Sequence, residues 1–235
     1  MALLDRPVRR LLLARRKVPS HPVHQLADDA LIAAGTQRKC YRHPADARLC
    51  IMVPRDPDNR AMQGANLVEW FMLGMLDWRG ISTQHRITSR GWAATEQGPG
   101  LVLERVTNED GRPALRLDDF IRQKQPSREQ LEAMYEELKQ WLFANKVPVN
   151  DLFCSNLLVR QTQTGAHLVL VDGLCGERFR FKLLVYGILP DFTFWRARRR
   201  WLVVEDKFRR DMEQYLPAQS KQSDDVMSSD PLATE

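Results

Sequence analysis

The sequence predicts an α+β protein of two lobes, a small lobe built on an antiparallel sheet and a mostly helical lobe after it. Short apolar runs rich in β-formers, separated by Gly, Pro, Asp and Asn, fill the chain up to Val106. From Ser127 the apolar residues recur at helical spacing instead. No internal repeat interrupts this order, and 235 residues suffice for two small lobes around a cleft. The expected divisions are a basic N-terminal arm over 1–28, a small lobe over 29–106, a helical lobe over 107–217 and a disordered tail over 218–235.

The elements follow in order. Ala30–Ala34 is a strand stopped by Gly35, Cys40-Tyr41 begins a second, and Arg48–Val53 is a third, closed by Pro54. Tight turns at Thr36–Lys39 and His43–Asp46 make these an antiparallel meander. Ala61–Leu76 carries Leu67, Phe71, Leu73, Met75 and Leu76 at helical spacing and ends before Gly80. Ile81–Ile87 and Gly91–Thr95 are short strand candidates, and Pro99-Gly100 is expected to turn the chain into a strand over Leu101–Val106. Leu117–Arg122 starts a short helix with Asp118 and Asp119 in its first turn. Ser127 is an N-cap for a long helix whose face is Leu131, Met134, Tyr135, Leu138, Trp141 and Leu142, ending at Asn145. Two short strands are expected around Asp151 and Asp172, and the Arg-, Trp- and Phe-rich stretch from Gly176 to Tyr215 is expected to be mainly helical.

Composition narrows the function classes. A 43% apolar fraction suits a globular core, and the net charge of +5 suits a partner bearing phosphate, nucleic acid or an anionic membrane surface without choosing among them. Cys40, Cys50, Cys154 and Cys175 form no Cys-x-x-Cys pair and no His residues gather near them, which excludes a zinc finger and favours a reducing compartment. The apolar Leu11–Ala14 run is cut short by Arg15-Arg16-Lys17, too short for a signal-peptide core, and no run reaches the roughly 20 apolar residues of a membrane span. A cytoplasmic location is expected.

The chemistry concentrates in Asp151-Leu-Phe-Cys-Ser-Asn156 and in Leu168-Val-Leu-Val-Asp172-Gly173. Protein kinases use this arrangement for a base Asp, a metal-binding Asn and a metal-binding Asp followed by Gly. Asp151 would orient the acceptor hydroxyl and take its proton. Asn156 and Asp172 would hold magnesium through hard oxygen donors. As ordinary residues, Asp151 would cap a turn after Pro148 and Asp172-Gly173 would end a strand.

A further set of residues carries a family likeness. Gly35-Thr-Gln-Arg-Lys-Cys-Tyr-Arg-His-Pro44, Leu49-Cys-Ile51, Asp77-Trp-Arg-Gly-Ile81 and the Asp151 and Asp172 segments resemble the YrbL family of PhoP regulatory network proteins. The resemblance runs from about Leu31 to about Met212. It implies a protein-kinase-like fold, related to lipopolysaccharide-core sugar kinases, with ATP and magnesium as cofactors, and it names no substrate. Against that pattern, Met52 stands where a strand lysine would hold the nucleotide phosphates, and a thioether cannot neutralise phosphate. Glu69 is the lone carboxylate between Gly64 and Leu76, with Asn66 the alternative at the position of the lysine's acidic partner. Phe153 brings no charge beside Asp151, and Gly35 alone marks the phosphate-covering loop. The nucleotide-binding candidates are therefore Gly35, Arg38, Lys39 and Glu104, with Asp151 as catalytic residue and Asn156 and Asp172 as metal ligands.

The reading that follows is a nucleotide-binding pseudokinase of a bacterial regulatory or envelope-stress network, with impaired phosphoryl transfer. The alternative is an active ATP-dependent kinase acting on a small-molecule, sugar or lipopolysaccharide-related hydroxyl, with Lys39 or Arg38 replacing the missing lysine. The expected partners are a nucleotide and a phosphate acceptor or partner protein of unknown identity, with no specific nucleic acid. Trp195, Arg196, Arg198, Arg199, Arg200 and Trp201 suggest an amphipathic helix that packs its Trp side and shows its Arg side to water or, weakly, to an acidic membrane surface.

Overall fold

A computed structural model describes residues 18–149, 152–174, 194–195, 198–199 and 201–216. The α+β class holds. One sheet has six strands: β1 (Val23–His24), β2 (Leu31–Ala34), β3 (Arg38–Arg42), β4 (Leu49–Pro54), β5 (Ser89–Thr95) and β6 (Gly98–Glu104). Their spatial order is β1-β5-β6-β4-β3-β2, antiparallel throughout except for the parallel pair β1–β5. The meander expected from the turn residues is thus β2-β3-β4. Helix α1 (Arg60–Trp78) connects β4 to β5 and packs on one face of this sheet.

Side-chain alternation sorts the central strand. Cys50 of β4 joins Leu73 and Leu76 of α1 and Leu101 and Leu103 of β6 in the main core. Ile51 and Val53 point the other way, into a second cluster with Leu26, Tyr41, Ala93 and Val102. Both faces are covered, which is why Leu49–Pro54 is an almost unbroken apolar run. Gly100 is required at its place in β6, because a Cβ there would overlap the Ile51 side chain.

The second half begins with β7 (Leu115–Arg116) and α2 (Leu117–Lys124). Helix α3 (Arg128–Ala144) starts with a full capping box: Ser127 accepts from the Gln130 N–H, and the Gln130 side chain accepts from the Ser127 N–H. Its buried face is the one read from the sequence, Leu131, Met134, Tyr135, Leu138, Trp141 and Leu142. A 3-10 turn (Cys154–Asn156) leads into β8 (Leu157–Thr162) and β9 (Gly165–Leu170), which form a three-stranded sheet with β7. Helix α4 (Trp201–Glu213) buries Trp201, Val204, Phe208 and Met212, and Phe208 stacks on Tyr135 at 5.0 Å. The main core runs without a break from Cys50 and Leu101 to Phe208 and Met212, so both halves share it.

Four sequence expectations change. The chain turns at Glu96-Gln97, not at Pro99-Gly100, because Thr95 Oγ1 accepts from the Gln97 N–H and donates to the Gly98 carbonyl. Pro99 and Gly100 lie within β6, which ends at Glu104 and not at Val106. Residues 81–87 form no strand; side chains of His85 and Arg86 hold them instead. Val23–His24, assigned to the arm, adds an edge strand to β5. Residues 1–17, most of the stretch from Gly176 to Arg200 and the tail expected over 218–235 lie outside the described residues. Among the described residues no helix is long and apolar enough to cross a membrane.

Candidate functional site

The register of β3 on β4 decides on which face of the sheet each candidate cation lies. Arg38 pairs with Pro54, Cys40 with Met52 and Arg42 with Cys50, so Arg38 shares the α1-facing side with Met52. Lys39 pairs with Val53 and belongs to the opposite face, that of the Leu26 cluster. A one-residue difference in sequence therefore sends the two candidate cations to opposite faces of the sheet.

Arg38 is buried, at 8% exposure, and its guanidinium sits among three side chains from two other elements. Nη1 forms an ion pair with Glu69 Oε2 of α1 and lies 3.4 Å from Asn66 Oδ1, one turn earlier on that helix. Nη2 donates to Asp172 Oδ2 at 2.8 Å. Asn66 Nδ2 in turn donates to the Met52 carbonyl at 2.7 Å, which ties α1 to β4 directly behind the cluster. Glu69 and Asn66 are not alternatives for one position: both are buried and both face Arg38. Met52 in place of a β4 lysine does not leave Glu69 unpaired, because Arg38 supplies its ion-pair partner.

Burial and mutual attraction act in opposite senses on the two partners. Burial disfavours the Arg38 cation, but attraction from Glu69 and Asp172 outweighs it and holds the guanidinium pKa above its ordinary value. Burial raises the Glu69 pKa above the usual carboxylate range, against the attraction of Arg38. Asp172 differs from Glu69 in access. Its side chain is 54% exposed, and Oδ1 accepts from the Gly173 N–H at 2.7 Å. Gly173 has φ +92°, a left-handed conformation that suits glycine at this turn.

Asn156 ends the 3-10 turn, and its backbone carbonyl accepts from the Val171 N–H at 3.0 Å. Since Leu157 pairs with Leu170, the β8–β9 ladder brings Asn156 beside the segment that ends in Asp172. The turn is fixed from behind by the Cys154 N–H, which donates to Asp211 Oδ2 of α4 at 2.7 Å. Cys154 is fully buried, and burial together with Asp211 pushes its thiol well above the ordinary range, so it serves packing and not nucleophilic chemistry. Asp151 lies outside the described residues.

The other candidates are placed apart from the cluster. Gly35 closes the β2–β3 turn, with its N–H on the Arg38 carbonyl at 2.8 Å and its own carbonyl accepting from Arg55 at 3.1 Å. Glu104 pairs with Arg90 at the end of β6, on the sheet surface.

A second buried arginine holds the loop that follows α1. Arg86 donates to the carbonyls of Ser82 at 3.2 Å and Ile81 at 2.6 Å and pairs with Asp77 at 2.8 Å. Next to it, the Leu170 N–H donates to the His85 carbonyl at 2.9 Å, and His85 Nδ1 donates to the Leu168 carbonyl at 2.7 Å. These bonds fold the loop after α1 and tie it to β9. Asp77 of this clamp lies in the Asp77-Trp-Arg-Gly run singled out in the sequence, whereas His85 and Arg86 fall in the stretch expected to be a strand.

Fitness for magnesium rests on the donor set. Among the described residues no three His, Cys, Asp or Glu side chains gather to hold a metal by themselves. Magnesium is usually bound by one or two protein oxygens with phosphates and waters completing its shell. The accessible Asp172 carboxylate, with the Asn156 segment beside it, fits that partial role.

The profile of the family described as PhoP regulatory network protein YrbL matches residues 24–212, and the chain belongs to this family. The matched span includes Arg38, Asn66, Glu69, Asn156 and Asp172. Proteins named YrbL from Escherichia coli (strain K12) and from Shigella flexneri are each 28% identical to the chain over 160 residues, covering 65% of it and 73% of their own length.

Proposed function

We propose that this member of the YrbL family binds magnesium–ATP in the manner of a protein kinase and transfers phosphate, with Arg38 in the role a lysine on β4 would fill. The observation that carries this reading is the single guanidinium shared by Glu69 on α1 and Asp172 after β9. In kinases a strand cation pairs with a helix Glu and lies close to the metal-binding Asp, so that it can hold phosphates beside the metal. The same charges meet here, although the cation comes from the neighbouring strand. Arg38 has donors on both terminal nitrogens and is always protonated, so it suits phosphate oxygens at least as well as a lysine would. Asp172 and Asn156 would hold magnesium, and Asp151 would orient the acceptor. The acceptor is a small-molecule, sugar or lipopolysaccharide-related hydroxyl, or a protein, within the PhoP-linked regulatory network for which the family is named.

One observation favours a second reading, a pseudokinase that binds nucleotide without efficient transfer. Phe153 and buried Cys154 put no charge between Asp151 and Asn156, where kinases place a polar side chain near the transferred phosphate. Met52 and Asn66 no longer argue for that reading, since Arg38 supplies the cation and Glu69 its partner.

A thermal-shift titration with ATP, with and without magnesium, joined to an ATP-hydrolysis assay, separates the cases. Saturation at about 100 times Kd stabilises the folded state by about 2.7 kcal/mol. For a domain of this size that raises Tm by roughly 5–10 °C. A magnesium-dependent shift with turnover, both lost in Asp172→Ala, is the expected result. A shift without turnover selects the pseudokinase. No shift at millimolar ATP sinks both.

A further inference from the structure

The outward face of the C-terminal helical region has an unusual composition. Phe194 and Trp201 turn inward and meet Phe143 edge-on at 5.3 and 5.0 Å. Positions 195, 198, 199, 202 and 203 follow the i, i+3, i+4, i+7, i+8 spacing of one helical face. All five residues there are exposed: Trp195 at 49%, Leu202 at 77%, Val203 at 54%, with Arg198 and Arg199 between them. The Arg199 guanidinium carbon stands 3.8 Å from the centre of the Trp195 ring, a cation–π contact that keeps the charge beside the aromatic surface. Between Asp191 and Glu205 the sequence has four arginines and no carboxylate.

A helix face meant only for water carries charge without large apolar side chains. Here exposed Trp195, Leu202 and Val203 flank two arginines, Arg199 over the Trp195 ring and Arg198 at the edge of the face with its guanidinium 6.0 Å from the Phe143 ring, and water solvates Leu202 and Val203 poorly. An anionic bilayer surface satisfies both. Its phosphates pair with the arginines, its headgroup boundary takes up Trp, and its acyl region takes up Leu and Val. Nucleic acid would use the arginines and Trp195 but offers nothing to the aliphatic pair at the middle of the patch. The sequence expectation had the Trp side packed and the Arg side facing water or an acidic membrane surface; Trp201 is packed, whereas Trp195 stands against Arg199.

We propose that Trp195, Arg198, Arg199, Leu202 and Val203 form a docking surface for a membrane of anionic phospholipid. This surface is independent of the nucleotide reading and of the cluster around Arg38. Each arginine near an anionic surface strengthens partitioning about fivefold, and the effect fades as salt screens it.

The test is cosedimentation of the full chain with vesicles of phosphatidylcholine alone, and with vesicles containing about one-third phosphatidylglycerol, a level at which each nearby basic residue contributes measurably. The expected result is binding to the anionic vesicles alone, weakened by salt. Arg198→Ala with Arg199→Ala should lower it about 25-fold, two factors of about five. Leu202→Asp with Val203→Asp should also lower it, while leaving the thermal midpoint unchanged because both side chains are exposed. A blue shift of Trp emission on the anionic vesicles, lost in Trp195→Phe, would place that ring in the interface. Equal binding to both vesicle types overturns the proposal, as does anionic binding that neither double variant weakens. Tight binding of single-stranded nucleic acid that needs Arg198 and Arg199 but ignores Leu202→Asp, without vesicle binding, reassigns the face to that partner.

Discussion

Arg38 and Arg86 are both buried guanidinium groups within the same half of the chain, but their donors are used differently. Arg86 donates to the main-chain carbonyls of Ser82, Ile81 and, at 3.4 Å, Ile87, and adds one carboxylate, Asp77. Its partners are fixed by the backbone they belong to. Among the described residues Arg38 donates to side chains, those of Glu69, Asn66 and Asp172. One of these, Asp172, opens to solvent. A guanidinium bound to carbonyls closes a loop and stays there. A guanidinium bound to carboxylates at a solvent edge can exchange one oxyanion for another, which is the property a phosphate site needs. Burial alone does not separate the two arginines; the chemical type of the acceptors does, and it is what the proposed function rests on.

Breaking the Arg38 side of this comparison should have the largest effect. Arg38→Met should reduce nucleotide binding or turnover by about 100-fold or more, since electrostatic stabilisation dominates phosphoryl transfer. It should also destabilise the fold, because buried Glu69 loses its cation. Met52 lies on the same face as Arg38, so Met52→Lys in the Arg38→Met background should restore part of both losses. In the wild-type background the same change would crowd a second cation against the first and give no gain. Lys39→Ala should change neither quantity, because its side chain belongs to the other face. Nucleotide binding that survives Arg38→Met and vanishes in Lys39→Ala would reverse the assignment.

Removing Arg86 should act on stability instead. Arg86→Met leaves buried carbonyls without donors, and each such loss costs about 1–3 kcal/mol. A total of about 3 kcal/mol is expected in urea denaturation, since Asp77 stays partly exposed and can rehydrate. The comparison sharpens if nucleotide affinity, measured below the unfolding transition, stays near wild type. A 100-fold loss of affinity with full stability would make Arg86 a site residue and erase the distinction.

The smallest effect concerns His85, which belongs to the same clamp. Burial lowers its pKa below the ordinary 6.5, ahead of the opposing bond to Leu168. The unfolded chain then binds a proton that the folded ring refuses. The stabilising contribution is present above pH 6.5 and is lost as pH falls through and below that value, at no more than about 1.4 kcal/mol per pH unit. His85→Gln should flatten this part of the stability–pH profile measured by denaturation. His43 is lowered in the same direction, by burial and by His24, and adds slope that remains in the variant. An unchanged slope in His85→Gln would show that the ring is protonated in the clamp.

Local chemistry was legible wherever it decides structure locally. Ser127 with Gln130, the apolar stripe from Leu131 to Leu142, the meander between Leu31 and Pro54 and the helix from Arg60 were readable because caps, periodicity and turn residues act over a few positions. The Pro99-Gly100 turn was misread for a tertiary reason: Gly100 is there so that β6 can approach Ile51, and the turn belongs to Thr95. The sequence also singled out Asp172, Asn156 and Met52, and it offered Arg38 and Lys39 as cations near them. It could not choose between them. Neighbouring residues on a strand face opposite ways, and which way each faces depends on register against β4 and on where α1 lies. Those are pairings between residues 28 to 134 positions apart, from Arg38 to Asn66, Glu69 and Asp172. Composition and spacing determine what elements form and which groups are available; only the packed sheet, helix and clamp determine which of those groups share a charge.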